Sequence, residues 1–167
     1  HPPDPSGASS QEPVSTFIDT NILIRHLTGD PPAMAARATA YVRVEPEMFL
    51  ADLIVAETIY VLESFYETPR VQVAEVVRSL LAFSSIVVVD RDVLLRAVDV
   101  YETDHLDFAE AYLVACAEST GVGRGASFDR SLDRVPPVER VEPPGPSCRS
   151  RGRRDRRPLR SRRPGWI

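Results

Sequence analysis

Between residues 15 and 143, short runs of strand-forming residues alternate with longer runs of helical periodicity, which leaves few folds open. The strand-like runs are Thr16–Ile18, Met48–Ala51, Ile86–Val89 and Ala126–Phe128, with Val138–Val141 as a last edge strand. IVVV at 86–89 is the clearest, because an unbroken β-branched stretch suits a strand covered on both faces. Ile22, Leu23 and Leu27 give a short helix that stops near Gly29-Asp30-Pro31, and Met34 to Val42 give a second with Pro31 and Pro32 at its start. Asp52 is placed to cap the long apolar helix DLIVAETIYVLESFY. Pro69 opens RVQVAEVVRSLLAF, Asp92 caps VLLRAVDVY, and DFAEAYLVACAES ends at Gly121. The expected fold is an α/β domain with a mainly parallel sheet and no internal repeat.

The ends differ in kind. Residues 1–14 are rich in Pro, Ser and Gly and are expected to be disordered. They begin with His rather than Met, as an incomplete or processed end does, and show no basic segment leading into an apolar one, so no secretory signal is expected. No apolar run reaches the roughly 18 residues that span a bilayer, so no membrane association is expected. Residues 144–167 hold nine Arg against one Asp, a charge of +8, while the rest holds 11 Arg against 23 acids, a charge of −12. An acidic domain over 15–143 thus carries a basic, low-complexity tail, also expected to be disordered.

All 20 basic residues are Arg. A chain without lysine has no P-loop lysine and no Schiff-base amine. Its two cysteines, Cys116 in an apolar helical pattern and Cys148 in the tail, make neither a disulfide framework nor a zinc spacing. A reducing cytoplasm is the simplest setting.

Ligands of open parallel sheets sit beyond the carboxyl ends of the strands. Asp19 follows one strand and Asp129 another, so neighbouring strands would bring the two carboxylates to one rim. Glu57 has apolar or aromatic same-face neighbours at Leu53, Ile54, Tyr60 and Val61. A carboxylate there is either a surface group at a groove edge or one that is paired or bound to a cation. Asp107 and Glu110 share a face at the start of the last long helix, where acids also suit the helix dipole and Asp107 could serve as a plain cap. Together the five acids suggest one pocket. Crowded carboxylates raise one another's pKa, and a divalent cation relieves that conflict. All-oxygen ligation suits Mg2+ or Mn2+, whose common use is to help water attack a phosphodiester.

FIDTN, AETIYVLE, DFAEAYLVACA and SFDRSLDRV, in that order, resemble a PIN domain, and more closely the VapC-type ribonuclease toxins of bacterial toxin–antitoxin pairs. The resemblance covers about residues 15–143. It implies a three-layer α/β/α domain with about five strands, a homodimer, and a Mg2+- or Mn2+-dependent endoribonuclease acting on RNA such as tRNA or rRNA. It also implies a cognate antitoxin docking across or near the acidic groove. It assigns catalysis to Asp19, Glu57, Glu110 and Asp129, with Asn21 and Ser127 supporting them. Metal ligation would fall to Asp19, Asp107, Glu110 and Asp129. Glu110 stands where the family usually has Asp, which leaves open whether it or Asp107 is the principal third acid. Ser131 stands where a further Asp is often found.

Two rival functions remain. One is a PIN domain that grips RNA or a protein but cuts weakly or not at all, as the Glu110 substitution and the tail would allow. The other is a haloacid-dehalogenase-type phosphatase. That type needs a second Asp at the position of Asn21 and a lysine that the chain lacks. His105 and His26 are read as structural or surface residues. Arg25, Arg124 and Arg130 are read as phosphate contacts or ordinary ion pairs. Cys116 is read as core, and Tyr60, Leu62, Phe65 and Tyr66 as core packing or a dimer face. The Arg-rich tail binds RNA, folds back on the acidic groove, or is a nonfunctional extension, the reading its abrupt change of composition favours.

Overall fold

In the computed structural model, residues 15–135 and 138–145 are described. The disorder expected of residues 1–14 and of the tail from Pro146 therefore lies outside the described residues, as does Cys148.

Strands and helices alternate as expected: β1 (Thr16–Phe17), α1 (Thr20–Thr28), α2 (Pro32–Val44), β2 (Met48–Phe49), α3 (Asp52–Ser64), α4 (Arg70–Ala82), β3 (Ile86–Val87), α5 (Arg91–Asp104), α6 (Phe108–Thr120), β4 (Arg124–Ala126) and β5 (Glu139–Val141), with a 3-10 turn at Arg130–Arg134. All pairing among the described residues is parallel. β2 lies between β1 and β3, while β4 pairs with β5. The five strands thus form two sheets among the described residues, and no ladder among them joins β1 to β4.

Several boundaries move. Val89 is 91% exposed and β3 ends at Val87, so IVVV is a strand only in its first half. The chain leaves the ladder there because Asp90, not Asp92, caps α5 by accepting the Val93 amide at 3.0 Å. Ala51 rather than Asp52 occupies the cap position of α3, and Asp52 begins the helix itself. β4 starts at Arg124, two residues before the expected strand, and Phe128 is exposed. α1 ends at Gly29 in the left-handed region with φ 74°, a conformation that costs glycine little.

The core lies between the sheet and the helices. Met48, Leu50 and Ile86 meet Leu23, Val55, Ile59, Val73, Leu81, Leu94 and Tyr101. Leu62 joins it, whereas Tyr60 and Phe65 point outward. Cys116 is half-buried and packs on the core edge as a free thiol.

Tyr101 is the largest fully buried side chain among the described residues. Its hydroxyl donates to Glu63 Oε1 at 2.6 Å, and the Arg70 guanidinium lies 4.2 Å from its ring centroid. Arg70 also donates to the carbonyls of Tyr101 and Leu106, which closes the α5–α6 corner. Burial, and then the bond to Glu63, push the phenol pKa up, so Tyr101 stays a neutral donor.

His26 meets Thr39 Oγ1 at 2.9 Å, and burial, then Arg43, lower its pKa. His105 is exposed and ends α5 at φ 55°. His26 is therefore half-buried where a helix-surface residue is expected, and His105 lies at the surface.

Candidate functional site

Asp19 follows β1 and occupies the cap position of α1, in extended geometry (φ −98°, ψ 154°). A capping Asp normally turns its carboxylate onto the first amides of the helix. Asp19 does not. Its side chain makes no capping bond and instead accepts from Asn21 Nδ2 at 3.2 Å. The exposed carboxylate therefore stands at the positive end of a helix without being spent on it.

Thr20, the next residue, is buried, and its hydroxyl donates to Glu57 Oε2 at 2.6 Å. Glu57 is exposed on α3. Glu57 on α3 is thus bonded to the residue next to Asp19, while Asp19 itself is met by Asn21 through a separate hydrogen bond. Sequence reading named Asn21 as the polar companion and missed Thr20, whose burial within FIDTN leaves no signal in its residue type.

The second group is built on α6. Asp107 caps the helix by accepting the Glu110 amide at 2.8 Å, and Glu110 Oε2 accepts the Asp107 amide at 3.3 Å. This reciprocal capping box realises the helix-start reading for both acids. The Ser131 hydroxyl donates to Glu110 Oε1. The Ser131 amide donates to Asp129 Oδ1 at 2.9 Å. Ser127 Oγ accepts the Asp129 amide at 2.9 Å, so Ser127 holds the backbone rather than a carboxylate. Sequence reading noted Ser131 only as a missing acid. Its signal was the Asp-x-Ser spacing, in which an amide two residues on can serve the Asp.

The two groups are linked at one remove. The Tyr112 hydroxyl of α6 donates to Asp52 on α3, and that bond, then burial, raise the Tyr112 pKa. The five acids do not form the single pocket expected. Among the described residues, no three His, Cys, Asp or Glu side chains are drawn together to share a metal ion. Each carboxylate is instead met by a local donor. The rise in pKa expected from crowding is not seen at Asp129, where the Ser131 amide holds the carboxyl below the usual range.

The donor set nevertheless suits a hard divalent cation in kind, being carboxylate oxygen throughout. Of the arginines considered, Arg25 donates to the Asp30 carbonyl at 3.1 Å, and Arg124 lies 3.7 Å from Glu139. A groove of about 610 Å³ opens beside Asp19, lined by Asn21, Ile22, Arg25, Met34, Arg37 and Tyr41 among others.

The molecule is a parallel α/β domain with carboxylates at strand and helix ends. Residues 16–137 match the model of the PIN domain, and the chain belongs to that family. PIN domains are typically nucleases that use divalent metal ions. A search of the curated proteins finds no match. No helix among the described residues is long and apolar enough to cross a membrane. The family match removes the phosphatase alternative.

Proposed function

We propose that the chain is a Mg2+- or Mn2+-dependent endoribonuclease, acting in the cytoplasm as the toxin of a VapC-type toxin–antitoxin pair, with its nuclease domain at residues 15–143. The observation that carries this reading is Asp19, whose carboxylate stands at the cap position of α1 beside the strand end but makes no capping bond.

Asp19, Asp107, Glu110 and Asp129, which stand in two groups here, would have to close around the cation, which would supply the positive charge that a phosphodiester and an attacking water need. Thr20 fixes the rotamer of Glu57 through one oxygen, leaving the other to accept a proton from water. Asn21 steadies Asp19, and Ser127 shapes the turn that presents Asp129.

The test is incubation of the full chain with total RNA in Mg2+, Mn2+ or EDTA. Discrete fragments are expected with either metal and none with EDTA. Fragments that persist in EDTA would defeat metal dependence.

A second reading, a PIN domain that binds RNA or protein but cuts weakly or not at all, is favoured by one observation: both oxygens of Glu110 already carry hydrogen bonds. Mn2+ titration separates the two, because a pocket committed to capping binds the ion poorly.

Partners follow from two surfaces. Leu53, Tyr60 and Phe65 are 76%, 68% and 76% exposed along and just beyond α3, which supports a homodimer. Sedimentation of the full chain should show a dimer, and an 18.5 kDa species at micromolar concentration would remove it. The groove between α1 and α2 is mostly apolar and carries two arginines, features suited to an antitoxin segment with apolar and acidic residues. It shares Asn21 with Asp19, so a segment seated there would lie beside the site.

A further inference from the structure

We propose that Ser131 is a positioning residue, the clasp that holds Glu110 and Asp129 in register, and that the length of Glu110 is matched to it. The inference rests on the metal-dependent reading of the site.

Ser131 has two donors, and each meets a different carboxylate. Its hydroxyl goes to Glu110 Oε1, on an element 21 residues away, and its amide goes to Asp129 Oδ1 at 2.9 Å. Glu110 in turn reaches back to the Asp107 amide with its other oxygen. One residue therefore ties three acids, two directly and Asp107 through Glu110. From the third position of α6, Glu110 has to reach both the start of its own helix and the 3-10 turn. An Asp there would keep the charge, but its arm is one methylene shorter, so that from the start of its own helix it would no longer reach Ser131. Hydrogen bonds that orient carboxylate ligands typically change metal affinity by about 10–100-fold when removed.

Ser131 is half-buried and lies in the 3-10 turn, so losing its hydroxyl opens little space. A merely structural tether would lower the melting temperature and leave metal affinity alone. A positioning residue does the reverse.

The experiment is calorimetric titration of Mn2+ into the full chain, as wild type, Ser131→Ala, Ser131→Thr, Glu110→Asp and the double variant Glu110→Asp/Ser131→Ala, with melting curves and RNA cleavage alongside. Ser131→Ala is expected to weaken Mn2+ binding by about 10–100-fold. Ser131→Thr, which keeps the hydroxyl, restores most of that affinity. The double variant binds no more weakly than the worse single variant, because both changes break one bond. In cleavage, kcat falls while KM holds.

Wild-type affinity in Ser131→Ala, or single effects that multiply in the double variant, would overturn the role of Ser131 while leaving the nuclease intact. A wild-type chain that neither binds Mn2+ nor cuts RNA would instead overturn the reading of the site, and this role with it.

Discussion

Replacing Asp19 by Asn is expected to cut RNA cleavage by roughly 10³-fold, the rate equivalent of losing several kcal/mol of electrostatic stabilisation at a metal-assisted centre. The substitution is nearly isosteric, and the parent carboxylate makes no capping bond, so helix α1 should form as before. Melting temperature should therefore change little while activity collapses. An Asp19 that merely capped its helix would give the opposite pattern, with stability lost and activity kept. The same variant tests the toxin role. Expression of the wild-type chain should arrest a bacterial culture, and Asp19→Asn should relieve the arrest. Wild-type cleavage by Asp19→Asn would mean that the chemistry lies elsewhere on the domain.

The largest expected loss of stability is at Tyr101. Truncation of a fully buried aromatic ring to Ala costs about 3–5 kcal/mol. In Tyr101→Ala the Arg70 guanidinium also loses the ring on which it sits, and Glu63 loses its donor. For a chain of this size the melting temperature should fall by about 6–20 °C. Tyr101→Phe keeps the ring and its edge-to-face contact with Phe108 and should cost only about 1 kcal/mol, because Glu63 can turn to water. A small change in Tyr101→Ala would show that the α5–α6 corner is held by Arg70 and its carbonyl partners alone.

What could be read from the sequence depended on whether a feature is local. The alternation of elements, the stop at Gly29, the opening at Pro69 and the end at Gly121 are set within a few residues, and all were legible. So was Asp19, because a strand end and a helix start in five residues fix where its backbone lies. The cap of α5 was misplaced from Asp90 to Asp92 because both are aspartates and only the extended backbone at Asp90 selects between them. β4 was placed too late because its pairing is set by Glu139, whose amide bonds Gly123, and residue type carries no record of that bond. The site divided in the same way. Asp107 and Glu110 were placed on one face from spacing alone. That Glu110 would meet Ser131 depends on a chain reversal through β4, which a single sequence does not encode locally.

The capping box has a further consequence. The atoms that start α6 are the atoms proposed to hold an ion, so occupancy of the site and fraying of the helix draw on the same bonds. Anything that pulls Glu110 away from the Asp107 amide loosens that amide. Anything that fixes the Asp107 carboxylate shields the amide of Glu110. Hydrogen exchange at these two amides should thus act as a built-in gauge of whether the site is loaded, readable without RNA and without turnover.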